Sequence, residues 1–478
     1  MIVSTTPAAT HRLSRRSTLA YGVGSIAYGV KDNGFQTFLL IFYNQVIGLP
    51  AVSVGVVIMV ALILDAIADP LIGAASDRTR SRWGRRHPWM YASAIPIAIG
   101  WLLLWNPPSW SQIPLLAWVF VTAVLLRTAM SAYEVPSGAL TPELTPDYDD
   151  RTRVSAWRFL FGWAGGLSML IVAYAIFLVP TASEPNGLLN RDGYRAYALT
   201  GAVVMFVAIL VSAMGTHREI KRLPQPGIDR VPFGQVLREL GETVRNRAFA
   251  ILMAAGFCAY AGQGITFALS NYFYSFVWRF PAGAFLWLGG VLFAGVVVAF
   301  LIGPRVARKL GKRQAATLFM VVTPLLVCGP YLLRFAGLFP EPGKSALLPL
   351  LFATLIASVA CSVSSFVIGA SMMADVVEDS AIKTGRRSEG VFSAGNFFVQ
   401  KTTGGIGIFL ASSILALARF PENAKPGAVL PATLDRLTII FCIVTFVISW
   451  LAAWLYSRFP FGRDEHAEML QTARSPSA

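Results

Sequence analysis

The stretch Asp65–Trp89, DAIADPLIGAASDRTRSRWGRRHPW, sets two carboxylates inside an apolar run and then packs five arginines into the nine residues from Arg78 to Arg86. Upstream, Ala51–Leu64 (AVSVGVVIMVALIL) carries no charge at all. A hydrocarbon core of ~30 Å is crossed by ~20 apolar residues in a helix, so a span over about 53 to 75 reaches across and leaves the lipid where the arginines begin. Asp65 and Asp69 then lie inside the membrane.

The same pattern repeats along the chain. The sequence predicts spans at about 20 to 47, 53 to 75, 88 to 106, 113 to 140, 154 to 179, 197 to 216, 248 to 277, 284 to 303, 314 to 335, 347 to 376, 390 to 418 and 432 to 457, twelve helices in all. Composition agrees: 55% of the 478 residues are hydrophobic and 14% charged, against about 25% charged in a soluble chain, and the mean hydropathy is +0.59. A soluble globular surface is excluded. Cys258, Cys328, Cys361 and Cys442 stand singly in apolar runs, as core thiols do.

Charge supplies the topology. Of 40 Lys and Arg, 28 fall in the segments on one side of the predicted spans and eight in the opposite loops, which places both termini in the cytoplasm. Arg12, Arg15 and Arg16 precede no cleavage site and read as a cytoplasmic leader into the first helix. The basic residues are spread over seven cytoplasmic segments with no soluble domain to collect them, so nucleic acid is not a partner; the lipid bilayer is. No HExxH, Walker or GxSxG signature is present, and the histidines lie in the cytoplasmic segments, so the chain is not expected to be an enzyme.

His217–Arg247, with three prolines and seven basic residues near the midpoint, reads as a linker between an N-terminal bundle (1–216) and a C-terminal bundle (248–458), with a cytoplasmic tail at 459–478. Gly73–Arg86 and Gly303–Arg313 echo one another, as do Pro142–Arg153 and Ala374–Arg387. A repeat six helices apart implies two parallel bundles related by a pseudo-twofold axis along the membrane normal, in an all-α membrane fold.

A charge at the bilayer centre costs at least about 2.5 to 3.5 kcal/mol on insertion scales, so each one needs a partner or a task. Lys31 and Asp32 fall in helix 1, Asp65 and Asp69 in helix 2, Arg127 and Glu134 in helix 4, Arg158 in helix 5 and Lys401 in helix 11. The i,i+4 spacing of Asp65 and Asp69 stacks both carboxylates on one face, about 6 Å apart, where they repel unless a cation or proton sits between them. Pro70 also frees the carbonyl of Ala66 as a possible oxygen ligand. The alternative is that both acids pair with Lys31, Arg127 or Arg158 and hold the bundle together. Glu134 suits substrate hydroxyls or amines. Tyr260, Gln263, Asn271, Tyr272, Asn396 and Gln400 are candidates for a second wall or for interhelical hydrogen bonds.

Four segments in order, YGVGSIAYGVKDNGF (Tyr21–Phe35), Asp65–Trp89, EVPSGALTPELTPDYDDRTRVSAWR (Glu134–Arg158) and ADVVEDSAIKTGRRSEGVFSA (Ala374–Ala394), resemble the glycoside/pentoside/hexuronide:cation symporters of the major facilitator superfamily, the melibiose permease-like family. The resemblance covers nearly the whole chain. It implies a major facilitator fold and a secondary active symporter that couples inward movement of Na⁺ or H⁺ to uptake of a small polar organic substrate, a glycoside, sugar or uronide, by alternating access. It requires no other cofactor, and the chain is expected to act as a monomer in a bacterial inner membrane. By position, Asp65, Asp69 and Ser131 match the cation site, with Asp65 and Asp69 as Na⁺ ligands if Na⁺ is the ion. Asp32, Lys31, Glu134, Arg158 and Lys401 match substrate-linked positions. Asp77 with Arg82 or Arg85, and the ends of the neighbouring helices, are expected to form gating ion pairs, with simple topology anchoring as the alternative. Departures occur at Ala68, where the melibiose permease has Asn, at Ser131 in place of Thr, and at Gly138 in place of the Trp that packs on a galactosyl ring. They raise the case for H⁺ and open the substrate class beyond galactosides. A lysolipid symporter of the same fold is the alternative, and a transport-incompetent sensor the remaining one.

Overall fold

The apolar runs form helices in the computed structural model, which describes residues 13–145, 147–182, 184–222, 246–384 and 389–460. Most of the expected linker, the tail beyond 460 and residues 385–388 lie outside the described residues. Twelve long helical segments are present among those described: α1 (15–46), α2 (Ala51–Arg78), α3 (His87–Trp105), α4 (Gln112–Leu144), α5 (Tyr148–Val172), α6 (Arg191–His217), α7 (Arg247–Tyr272), α8 (Ala282–Leu310), α9 (Lys312–Phe335), α10 (Leu347–Thr384), α11 (Glu389–Leu417) and α12 (Pro431–Ser457). Ten of them are long and apolar enough to cross a membrane; the other two are α11 and α1, which is broken into short pieces. Side chains cap several starts. Asp147 accepts from the Asp150 amide at 2.9 Å, and Asn246 from the amides of Ala248 and Phe249 at 2.9 and 3.2 Å.

Several helices outrun the hydropathy spans. α2 reaches Arg78 instead of 75, α4 reaches Leu144 instead of 140, α8 reaches Leu310 instead of 303 and α10 reaches Thr384 instead of 376. Hydropathy marks only the part of a helix that suits lipid, whereas backbone hydrogen bonding continues past it into charged sequence. Pro142 and Pro304 sit inside helices without ending them. The expected loop Gly303–Arg313 thereby shrinks to Gly311.

The outward faces are apolar. On α12, Ile439, Ile443, Val447, Trp450 and Trp454 recur at helical spacing and are exposed, while Thr438, Cys442, Thr445 and Ser449 are buried. That inside-out pattern is disfavoured in water and suits lipid.

The chain divides into two compact units, Met1–Leu39 with Val60–Ile228, and Leu40–Met59 with Asp229–Ala478. Within the first, α1 packs on α5 and α6, and α3 on α4 and α6; within the second, α7 packs on α11 and α12, and α9 on α10 and α12. The pairings are the same six helices apart, as a duplicated bundle requires. Close glycine crossings recur at equivalent places. A Cβ on Gly29 of α1 would collide with the carbonyl of Gly162 and approach the Gly166 nitrogen to 2.9 Å on α5, and one on Gly264 of α7 would come within 3.0 Å of the Gly407 Cα on α11.

The duplication also shows at the ends of α1 and α7. FYNQVIGLP (42–50) and FYSFVWRFP (273–281) both close in a π turn. The amides of Ile47 and Leu49 bond the carbonyls of Phe42 and Tyr43 at 3.0 and 2.9 Å, and those of Trp278 and Phe280 bond Phe273 and Tyr274 at 2.9 and 2.8 Å. Gly48 and Arg279, at the same place in the turn, both have positive φ, 86° and 46°.

Inside the second unit the α1 end is held by a buried amide network. The Gln45 side chain donates to the Pro421 carbonyl at 3.0 Å and to Asn44 Oδ1 at 2.6 Å, and accepts from the Ala424 amide at 2.9 Å. Tyr272 donates to Asn44 Oδ1 at 2.9 Å.

Candidate functional site

On α4, Arg127, Ser131 and Glu134 follow at i, i+4 and i+7 and share one stripe; on α2, Asp65 and Asp69 do the same over one turn. The first unit brings these stripes together with Lys31 and Asp32 of α1. Arg127, 3% exposed, donates from Nε and Nη2 to Asp65 Oδ2 at 3.0 and 2.5 Å, and its Nη1 lies 3.7 Å from Asp32 Oδ1. Ser131 Oγ donates to Asp65 Oδ1 at 2.6 Å. Lys31, equally buried, sits 2.9 Å from Asp32 Oδ1 and 3.8 Å from Glu134 Oε2.

A continuous line of ion pairs therefore runs Glu134, Lys31, Asp32, Arg127, Asp65, Ser131. Asp65 is paired with an arginine as well as stacked above Asp69. Asp32 (side chain 47% exposed) and Glu134 (31%) are the more exposed carboxylates of the cluster. Carboxylates stacked in a low-dielectric bundle favour a cation or proton between them. Among the described residues no group of three or more His, Cys, Asp or Glu is placed to hold a metal ion, so a cation here would rely on one or two carboxylates with hydroxyl or carbonyl oxygens.

Arg158 stands apart from this line. Its Nη1 donates to Tyr21 Oη at 2.8 Å, the Ser137 carbonyl at 3.1 Å and Thr141 Oγ1 at 2.9 Å, its Nη2 donates to Ser137 Oγ at 3.3 Å, and the guanidinium lies 4.8 Å from the Tyr21 ring centre. Tyr21 also donates to the Ser137 carbonyl. Tyr21, Ser137 and Thr141 are site residues that charge-based reading passes over, because each is neutral and common in helices. The i,i+4 pair Ser137 and Thr141 is the one signal that was there to be read.

In the second unit, Lys401, Asn396 and Gln400 lie together on α11, the first two half-buried and Gln400 exposed. Asn271 and Tyr272 are fully buried, with Tyr272 bonded to Asn44, and Tyr260 stacks on Phe366 at 4.7 Å. Tyr260 and Tyr272 thus make packing and hydrogen-bond contacts.

At the arginine-rich end the expected pairing changes. Asp77 is bonded to Arg86, and neither Arg82 nor Arg85 is its partner. Arg85 and Arg86 both reach Glu143 Oε1 of α4, at 2.8 and 3.2 Å, Arg86 also donates to Ser76 Oγ at 2.6 Å, and Arg82 lies over the Trp83 ring. The cause is local. Gly84 at φ 71° reverses the chain, which turns the two residues after it back toward α2 and α4. The second unit does the same: after Gly311, at φ 84°, Lys312 donates to both oxygens of Asp375 of α10 at 2.7 and 2.8 Å.

Residues 20–463 match the profile of a family described as MFS/sugar transport protein. The chain is 25% identical to the inner membrane symporter YicJ of Escherichia coli K12, over 94% of this chain and 92% of that one. It is 26% identical to the isoprimeverose transporter of Lactiplantibacillus pentosus, over 91% and 87%. A crystal structure of a D-xylose-proton symporter superposes with a TM-score of 0.64 over 93% of this chain and 97% of that one, at 14% identity, a likeness of fold.

Proposed function

The chain belongs to the MFS/sugar transport protein family, and from that premise we propose that it is a symporter that couples Na⁺ or H⁺ entry to uptake of a small glycoside by alternating access of its two bundles, residues 1–216 and 248–458. The observation that supports this reading is the buried line of ion pairs in which Arg127 is shared between Asp65 and Asp32 and Lys31 between Asp32 and Glu134, with Asp69 one helical turn from Asp65. A cation or proton at Asp69 and Asp65, with Ser131 beside them, competes for Asp65 and changes how firmly Arg127 is shared between Asp65 and Asp32. Asp32 and Glu134, which face outward from the line and are tied to it through Lys31, are the carboxylates placed to take substrate hydroxyls. Ion occupancy and substrate geometry are linked in this way through one set of shared salt bridges. Lys401 is the substrate-linked residue proposed for the second bundle.

The family's named symporters, an inner membrane protein and an isoprimeverose transporter among them, support placing this chain in a bacterial inner membrane with a small glycoside, sugar or uronide as cargo. The excess of basic residues on one side supports cytoplasmic termini. The Asp77–Arg86–Glu143 and Lys312–Asp375 pairs then lie at the cytoplasmic ends of their own bundles, and a single copy of the chain suffices. The test is transport in proteoliposomes with a labelled glycoside. Asp69→Asn is expected to lose accumulation driven by a Na⁺ or pH gradient while keeping exchange between equal pools. Full gradient-driven accumulation by Asp69→Asn would sink the coupling role.

A further inference from the structure

We propose that the groove between the first turns of α9 and the last turn of α12 binds the headgroup of an anionic glycerophospholipid, a site that depends on the chain lying in a bilayer and not on what it carries. The groove encloses about 530 Å³, against about 30 Å³ for one water in the liquid, and is lined by Arg313, Gln314, Thr317, Leu318, Val321 and Ser457. Its character changes along its length. Arg313, Gln314, Thr317 and Ser457, in the terminal turns, make a polar rim, and Leu318 and Val321, further into α9, make an apolar floor.

The apolar part belongs to the lipid-facing surface. Gln314, Leu318, Val321 and Leu325 recur at i, i+4, i+7 and i+11 and are all exposed, so one stripe of α9 runs from the rim onto the outward face. On the other wall, Ser457 heads the exposed α12 stripe of Val447, Trp450 and Trp454. Arg458, the next residue, lies 5.4 Å from the centre of the Trp454 ring. A tryptophan with a basic neighbour at the end of a spanning helix marks the depth of the lipid headgroups. The groove therefore opens at that depth, with its floor on the acyl-chain side.

Charge selects among headgroups. Lys312 spends its charge on Asp375, whereas Arg313 donates to the Phe459 carbonyl at 3.4 Å and forms no ion pair among the described residues. A neutral partner at the limit of hydrogen-bond length leaves the guanidinium charge uncancelled and most of its donors for an anion. Thr317 Oγ1 donates to the Arg313 carbonyl at 2.9 Å and Ser457 Oγ to the Trp454 carbonyl at 2.6 Å, so both oxygens keep lone pairs for outside donors. Phosphatidylglycerol supplies both complements, a net negative charge for Arg313 and headgroup hydroxyls for Thr317 and Ser457. Phosphatidylcholine supplies neither. On the topology proposed above these helix ends face the cytoplasm, where the leaflet surface is negative.

The experiment titrates the purified, delipidated full chain in neutral detergent with dioleoyl phosphatidylglycerol or dioleoyl phosphatidylcholine and reads the apparent Kd of the bound lipid by native mass spectrometry. Phosphatidylglycerol is expected to bind about fivefold or more tightly, the size of one arginine against one surface anion. Arg313→Gln is expected to narrow that ratio to about twofold or less, and Arg313→Lys to keep part of it. Lys309→Gln, which removes an exposed charge at the end of α8, is expected to leave the ratio unchanged. sn-Glycerol 3-phosphate, an anionic head without chains, is expected not to bind at concentrations where phosphatidylglycerol does. Equal Kd for the two lipids overturns the site, as does a ratio kept in full by Arg313→Gln. Equal narrowing by Lys309→Gln overturns it in favour of diffuse surface charge, and glycerol 3-phosphate binding as tightly as the lipid overturns it in favour of a soluble phosphate. A preference that appears only when Asp464, Glu465 and Glu468 are changed to amides makes the chain's own acidic tail the occupant and overturns it too. If Arg313→Gln does not fold, the two lipids on the unaltered protein and on Lys309→Gln decide.

Discussion

Replacing Asp65 by Asn tests whether the ion-pair line holds the first unit together. Asp65 is 2% exposed and receives three hydrogen bonds, two from Arg127 at 3.0 and 2.5 Å and one from Ser131 at 2.6 Å. An amide can keep its oxygen on Arg127 and turn its NH₂ to Ser131 Oγ, which can accept, so what is lost is the carboxylate charge that compensates Arg127. Arg127 is left with Asp32, at 3.7 Å, as an ion-pair neighbour. Breaking one half of a buried pair costs about 3 to 5 kcal/mol, most of it the penalty of an uncompensated charge. Arg127→Gln is expected to cost a similar amount for the mirror-image reason. In Asp65→Asn/Arg127→Gln both groups are neutral amides able to bond each other, so the double variant is expected to recover about 2 kcal/mol or more relative to the sum. Unfolding by SDS in mixed micelles, followed by tryptophan fluorescence, measures all four corners of the cycle. Additivity within about 0.5 kcal/mol, or an Asp65→Asn loss below about 1 kcal/mol, would refute the reasoning. Asp69→Asn, half-buried and one turn away, is expected to unfold closer to the unaltered protein, which separates a coupling defect at Asp69 from a folding defect at Asp65.

Two further predictions concern packing. Gln45→Met keeps the side-chain length but strands the buried Ala424 amide and the Pro421 carbonyl, so a loss of about 1 to 3 kcal/mol is expected, seen as a melting temperature lower by several degrees in detergent; a shift under one degree would show that the network contributes nothing. Gly29→Ala is expected to destabilise because its methyl meets Gly162 and Gly166 backbone, whereas Gly290→Ala in α8, where a Cβ meets nothing within 4 Å, is expected to be neutral or to gain up to about 1 kcal/mol of helix propensity. Equal melting shifts for the two would mean that the α1–α5 crossing is not set by its glycines.

The helices were legible because lipid leaves few options: every backbone group has to be bonded within its own segment, so a long apolar run is a helix, and the turn from Leu64 through Arg86 says where it leaves the bilayer. What hydropathy could not show is the helix beyond the lipid. Arg78, Glu143, Arg308 and Glu378 all extend helices past the expected ends, because charged side chains in water neither favour nor forbid another turn. The break and π turns in α1 were equally invisible. Gly24 and Gly34 lie where an added Cβ would meet Tyr133, Ser212 and Trp101, residues far away in sequence.

The site divides along the same line between what one helix dictates and what two must agree on. Spacing within a helix is enough to put Asp65 over Asp69 and to line up Arg127, Ser131 and Glu134, so the membership of the cluster was readable. Partner choice was not. Asp65 had Lys31, Arg127 and Arg158 to choose from, and Asp77 had every arginine from Arg78 to Arg86; charge alone ranks these options equally. Geometry breaks the tie through features that carry no charge: the left-handed Gly84 that aims Arg86 at Asp77, and the hydroxyls of Tyr21, Ser137 and Thr141 that hold Arg158 away from the acids. Neutral residues thus decide which charges are used up inside the protein.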